Sequence, residues 1–182
     1  NDAPVATVDV NSTNEDTPLS VSVSNGILSN DTDIENDTLT VTAIVINGNS
    51  QPVGSPINLT EGVLQIEADG SYTFTPSLNF NGNVPQINYT ANDGLNTVTS
   101  TLDITVTPVN DAPVAIPDTN TTLEDVVITV TAANGLLNND SDLENNSLTI
   151  TRFNVNGTNY LAGNTVTLAE GSLLINSDGS YT

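Results

Sequence analysis

The chain repeats itself. NDAPVA opens at Asn1 and returns at Asn110, an offset of 110 − 1 = 109 that then holds without a gap to the last residue. NEDT at 14–17 faces LEDV at 123–126, and LSNDTDIENDTLTV at 28–41 faces LNNDSDLENNSLTI. INGN at 46–49 faces VNGT at 155–158, and LTEGVLQIEADGSYT faces LAEGSLLINSDGSYT. Self-similarity at a fixed spacing marks modules strung in series, and one fold must then satisfy both copies. The reading is a complete module over residues 1–109 followed by a second, 110–182, that lacks counterparts of residues 74–109. Those residues hold two of the most apolar strand patterns. The second module is therefore expected to show an open sheet edge, a template for pairing with another chain. It is expected to be completed either within a longer tandem array or by an equivalent segment of a neighbouring chain.

Each module reads as all-β. TVTSTLDITVT at 97–107 alternates strictly, with Val98, Ser100, Leu102, Ile104 and Val106 on one face. That two-residue period belongs to a half-buried strand. PLSVSV, TLTVTAIVI, VLQIEA, SYTFTP and QINYTAND add short runs rich in β-branched residues, separated by Asn, Asp, Gly and Pro. Asp69-Gly70 and Asp178-Gly179 mark tight hairpins. No apolar period of 3.6 residues survives over a useful length. About seven strands in each module predict tandem immunoglobulin-like, Greek-key β-sandwiches.

Charge narrows the function. Twenty-two acidic residues stand against one basic residue, Arg152, for a formal net charge of −21, with no Cys, His, Met or Trp. Nucleic acid is excluded as a partner, because phosphate binding needs Lys and Arg to displace counterions. Anionic lipid is disfavoured for the same reason. No apolar run approaches the roughly 20 residues that span a bilayer, so direct membrane insertion is not expected. Without His, Cys or Lys most general bases, thiol nucleophiles and Schiff-base chemistry are missing, and the chain reads as no enzyme. Tyr72, Phe74, Tyr89 and Tyr181 fall in strand patterns and read as core.

Four carboxylates, Asp31, Asp33, Glu35 and Asp37, sit on alternate residues with no Lys or Arg nearby. Either they are solvated loop groups that repel one another, or they share a hard cation. The pattern D-x-D-x-E-N occurs at 31–36 and 140–145, at the same place in both modules. Oxygen ligands without nitrogen or sulfur select Ca²⁺ or Mg²⁺, and a flexible loop favours Ca²⁺. The loop is not an EF-hand: its sixth position is Asn36 rather than Gly and its twelfth Thr42 rather than Glu.

NDAPV at the module start, NEDTPL soon after, DTDIENDTLTV, and YTANDG before a long last strand into PVNDAPV together carry a resemblance. The chain resembles the cadherin-like, immunoglobulin-like repeats of giant, calcium-dependent bacterial surface adhesins of the type I-secreted, RTX-adhesin kind, and more distantly cadherins. The resemblance covers the whole chain. It implies Ca²⁺ at module junctions: Glu15 from the first module, Asn110 and Asp111 from the linker, and Asp140, Asp142 and Asn145 from the second. Asp2, Asp31, Asp33, Asn36 and Asp93 would serve the equivalent junction ahead of Asn1. Pro108 where the cadherin linker starts with Asp, Ala112 after Asp111, and neutral NFNGN before YTANDG reduce the ligand set, implying one or two ions per junction. The implied role is an extender of a long, biofilm-associated adhesin that is extracellular, at the bacterial cell surface or secreted, with neighbouring repeats as partners. The alternatives are a module binding carbohydrate or protein directly, or a subunit of a self-assembling surface filament. A ligand role would lie in the most divergent stretch, AIVINGNSQPV against RFNVNGTNYLA.

Overall fold

The alternation at 97–107 becomes the longest strand, with Leu102, Ile104 and Val106 buried while Thr99, Thr105 and Thr107 face water. A computed structural model describes all 182 residues and separates them into two units, Asn1–Val109 and Asn110–Thr182. In chain order unit 1 contains β1 (Asp9–Asn14), β2 (Leu19–Val21), β3 (Thr40–Ile46), β4 (Asn49–Gln51) and β5 (Ile57–Asn58). There follow β6 (Gly62–Ile66), β7 (Tyr72–Pro76), β8 (Gly82–Asn83), β9 (Ile87–Asn92) and β10 (Thr97–Thr107). One sheet runs β1-β10-β9-β3-β4, with β8 also on β10, and the other runs β2-β7-β6-β5.

The two sheets close on a single apolar cluster. From the first come Ile44, Ile46, Ile87, Tyr89, Leu102 and Ile104, and from the second Ile57, Leu64, Ile66, Tyr72 and Phe74. Each such side chain contributes roughly 1.5–3 kcal/mol by leaving water. The period-2 pattern decides which residues enter. On β7 Tyr72, Phe74 and Pro76 point inward and Thr73 and Thr75 outward. The β6–β7 hairpin closes through Glu67 N–H to Ser71 O at 2.9 Å and Gly70 N–H to Glu67 O at 3.1 Å, with Gly70 at φ 83°. That is the three-residue form, in which glycine takes the left-handed position.

Four strands lie outside the sequence reading. β1 has one apolar residue, Val10, and it is 76% exposed. Its strand state comes from parallel main-chain pairing with β10, Asp9 opposite Leu102 and Asn14 opposite Thr107, which leaves no mark in hydrophobicity. β4 and β8 are short and polar, and β5 has two residues. PLSVSV stops as strand at Val21 because Val23–Asn25 turns into a single 3-10 turn. That turn brings Gly26 against the Gly70 carbonyl, where a Cβ would lie 2.3 Å from the oxygen.

Unit 2 has β11 (Arg152–Val155), β12 (Thr158–Leu161), β13 (Thr165–Leu168) and β14 (Gly171–Leu174), paired as two separate hairpins. The expected seven strands are not all formed. In unit 1, β1 is built on β10 and β3 on β9. Without such partners the counterpart of β1, residues 118–123, has no strand, and that of β3 is strand only over Arg152–Val155. Val166 is the one fully buried apolar side chain of the unit.

Candidate functional site

The acidic loop of unit 1 is organised by its own carboxylates. Asp33 Oδ1 accepts the N–H groups of Glu35 and Asp37, each at 3.0 Å, so one side chain ties down a turn of four residues. Asn36 closes it with an N–H to Asp33 O at 3.2 Å and a φ of 61°, a left-handed conformation that asparagine tolerates. Asp31 points the other way: its Oδ1 accepts the Thr7 N–H at 2.8 Å. Two more segments join here. The Asp2 N–H donates to the Glu35 carboxylate at 3.2 Å, and the Asn1 amide donates to Asp93 Oδ2 at 2.8 Å. Asp93 Oδ1 accepts the N–H groups of Leu95 and Asn96 at 2.7 and 2.6 Å, and these bonds, that from Asn96 foremost, hold its carboxyl below the usual range.

Unit 2 repeats the arrangement. Asp140 Oδ1 accepts the Ile116 N–H at 2.8 Å, Asp142 Oδ1 the Asn146 N–H at 2.9 Å, and Asn145 stands at φ 60°. The Asp111 N–H donates to Glu144 at 3.3 Å, and Asn110 Oδ1 accepts the Asn146 amide at 2.6 Å.

Asp2, Asp31, Asp33, Asn36 and Asp93 thus share one end of unit 1, and Asn110, Asp111, Asp140, Asp142 and Asn145 form the matching loop set of unit 2. No three carboxylates converge as a ready-made metal cage. Glu15 follows β1 at the opposite end of that strand from Asp9, beside Val109, the last residue of unit 1. It is 3% exposed, and its carboxylate accepts the Val109 N–H on one oxygen and the Asn81 amide, at 3.1 Å, on the other.

One observation bears directly on a cation. The buried side-chain oxygens without any hydrogen-bond partner are Asp33 Oδ2 and Asp111 Oδ2. A buried carboxylate oxygen left unpaired costs free energy that water or another partner would otherwise offset. Both atoms belong to residues on the acidic loop sets, where every side-chain ligand on offer is oxygen. The donor set is that of a hard cation such as Ca²⁺, although the carboxylates of each loop set are not gathered around one point.

Sequence reading missed Asp9. Its Oδ2 lies 2.9 Å from Tyr89 Oη, which also lies 2.9 Å from Ile27 O and 3.2 Å from Asp31 Oδ2. Burial raises the Asp9 pKa to about 6; the Tyr89 hydrogen bond lowers it and the Asp31 charge raises it further. Burial likewise raises Asp31, against the Thr7 N–H and the Tyr89 hydroxyl. A tyrosine in a strand pattern gives no sign of where its hydroxyl ends, so no sequence signal marks this cluster.

Two β-sheets packed face to face with this strand order define an immunoglobulin-like sandwich of the cadherin-like kind. Residues 1–108 match the family described as the bacterial cadherin-like domain, and the chain belongs to that family. Residues 130–182 match the bacterial Ig-like domain. No curated protein matches. Among solved structures, a nucleoside hydrolase-related hypothetical protein from Saccharophagus degradans, associated with carbohydrate metabolism, is similar at 17% identity and a TM-score of 0.39 over 58% of this chain. An endo-fucoidan hydrolase of glycoside hydrolase family 107 is similar at 18% identity and a TM-score of 0.39 over 62% of this chain. The chain spans 26% and 16% of those two proteins. Bacterial domains of these two families suggest a surface-associated extender or adhesion module, and they are typically extracellular or surface-exposed. No helix is long and apolar enough to cross a membrane.

Proposed function

We propose that the chain is an extender segment of a long bacterial surface adhesin of the RTX-adhesin kind, whose modules are stiffened by Ca²⁺ at their junctions. The observation that carries this reading is the pair of buried, unpartnered oxygens, Asp33 Oδ2 and Asp111 Oδ2, on acidic loop sets that recur at the same place in both modules. Arg152 is the chain's single basic side chain and lies on β11, outside both loops. An ion shared by the loop and the segment that enters each module would couple folding to stiffness. The role is structural rather than catalytic: the carboxylates are engaged in turn geometry, and the chain has no His, Cys or Lys to serve as base or nucleophile.

Extracellular calcium modules bind at roughly 10⁻⁴–10⁻³ M. At ten times the dissociation constant each ion adds about 1.4 kcal/mol. Thermal unfolding and small-angle scattering of the full chain, with calcium and then with chelator, test the reading. Calcium is expected to raise the melting temperature and lengthen the particle; a chain indifferent to chelator in both measurements would refute it.

A second reading has one observation behind it. The most divergent stretch carries a stacked aromatic pair, Phe153 and Tyr160, with ring centroids 5.8 Å apart. Such a pair could form the platform of a sugar-binding adhesion module. Phe153 occupies the position of Ile44, which is core in unit 1, and this favours the extender. Glycan-array binding by the full chain that is lost in Tyr160→Ala would reverse that preference.

A further inference from the structure

A pull along the chain enters unit 1 through the segment before β1 and leaves it through the segment after β10. Those two strands are neighbours and run parallel, from Asp9 opposite Leu102 to Asn14 opposite Thr107. Drawing the ends of the unit apart therefore moves β1 back towards its Asp9 end and β10 forward past Thr107. An antiparallel pair would open from one end, one bond after another. In a parallel ladder the bonds are evenly spaced, and a load along the strands falls on all of them together. Burial does little to hold β1, since Val10 is 76% exposed and the other residues of the strand are polar. The ladder itself must carry the load.

Side chains pin that ladder along its length. At the leaving end the Glu15 N–H bonds Thr107 O at 2.9 Å, and the Thr107 hydroxyl donates to Asn14 Oδ1 at 2.7 Å and to Thr13 O at 3.2 Å. The Glu15 carboxylate accepts the Val109 N–H. At the entering end Asp9 Oδ2 lies 2.9 Å from Tyr89 Oη, on the strand that flanks β10 from its other side. Between them the Asn11 amide donates to Tyr72 Oη at 2.9 Å and ties β1 to the opposite sheet. All of these bonds resist sliding of β1 along β10. Successive residues of a strand turn their N–H groups to opposite sides, so the Glu15 bond to β10 places the N–H groups of Thr13 and Asn11 on β10 as well. The Ser12 N–H faces away and meets Asn11 Oδ1 at 2.9 Å. We infer that unit 1 is a tension-bearing module whose β1–β10 ladder is a shear clamp, which holds load between the entering and leaving segments and gives way in one step. The inference rests on the extender reading for the tension itself, but not on calcium.

The test is single-molecule pulling on the full 182-residue chain. The chain has no cysteine, so introduced pairs choose the direction of pull. Ala3, Thr17 and Ala112 are exposed and serve as handles. Ala3→Cys with Ala112→Cys loads β1 against β10 in shear. Thr17→Cys with Ala112→Cys leaves β1 outside the loaded path and draws β10 out from its Thr107 end, so its bonds part in turn. In the first pull the 112 − 3 = 109 residues between handles release about 360–390 Å of chain at roughly 3.3–3.6 Å each, which marks the event. With chelator present, the shear pull is expected to need a severalfold higher force than the other. Thr13→Pro removes a ladder N–H and should bring the shear force down towards the second value. Ser12→Pro removes an N–H that faces away and should leave it nearly unchanged. Equal forces in the two directions, or the same response to either proline, overturns the clamp. Should Thr13→Pro not fold, the two directions of pull decide alone. A high shear force seen only with calcium would place the load on the ion and also overturn it. A force that persists in chelator supports the clamp even where calcium adds nothing, an outcome that would sink the calcium reading alone.

Discussion

Units 1 and 2 agree in their turns and disagree in their cores. Asp16 and Asp125 have φ of 56° and 58°, Asn36 and Asn145 of 61° and 60°, and Asn47 and Asn156 of 50° and 48°. Asn11 donates to Tyr72 Oη at 2.9 Å and Asn120 to Tyr181 Oη at 2.9 Å. Yet Leu64 is fully buried and its counterpart Leu173 is not. Turn geometry is settled within a few residues by glycine, asparagine and side-chain caps, so it travels with the sequence. Strand pairing and burial need a partner distant along the chain, and they follow the partner. The β1 counterpart shows this most plainly: DVNSTN is a strand beside β10, and DTNTTL without such a neighbour is not.

The largest test of that contrast is a matched truncation. Leu64→Ala should cost unit 1 about 2–5 kcal/mol, the range for a fully buried leucine, whereas Leu173→Ala should cost unit 2 well under half as much. Denaturant unfolding followed by unit-resolved amide exchange would show it, and equal losses would mean that unit 2 has a core as complete as unit 1.

Next comes a pair in which the units should respond alike. A Cβ on Gly26 or Gly135 would lie 2.3 Å from the Gly70 or Gly179 carbonyl oxygen. Overpacking of this kind costs about 1–3 kcal/mol. Gly26→Ala and Gly135→Ala should each accelerate exchange of the amide that bonds the displaced carbonyl, Ile27 or Leu136. A response confined to unit 1 would show that the local contact in unit 2 is not held.

The acidic loops give a smaller effect, again matched. Asp33→Asn and Asp142→Asn should each lower the calcium-dependent gain in stability by about 1 kcal/mol, a large part of what one ion contributes. Asp69→Asn, in the β6–β7 turn, should leave calcium affinity unchanged. Calorimetric titration separates the three, and equal losses would point to net charge rather than coordination.

The smallest effect is a pH dependence that belongs to unit 1. Asp9 faces Tyr89, Asn30 and Asp31, and its folded pKa of about 6 lies above the ordinary 3.8. The folded state therefore binds more protons than the unfolded state between those values. The contribution to stability is fully present below pH ~4 and is lost as pH rises through ~6. For a group about half in contact with solvent, screening limits it to on the order of 1 kcal/mol. Asp9→Asn should flatten that segment of the unit 1 stability profile; an unchanged profile would remove Asp9 from the account.

Much of the fold was legible because it rests on local rules. The alternation at 97–107, the β-branched runs and the Asp-Gly turns located β10, β3, β6, β7 and β9. The invisible strands are those that bury almost nothing: β1 exposes Val10 and β4 is Asn-Ser-Gln, and each exists because a neighbouring main chain offers hydrogen bonds. The acidic loop residues were legible as a repeated pattern. Which oxygens are buried and unpartnered was not, because that depends on how Asp33 and Asp111 turn within their loops.

What the sequence alone determined is the module length, the turns, the inward face of each long strand and the placement of the carboxylates, since all are set by short-range sterics and a two-residue period. Only the tertiary structure decided that Asp9, Asp31 and Ile27 O meet one tyrosine hydroxyl, and that Glu15 is buried against Val109 and Asn81. The physical reason is common to both: each depends on a contact between residues far apart in the chain, which no local preference records.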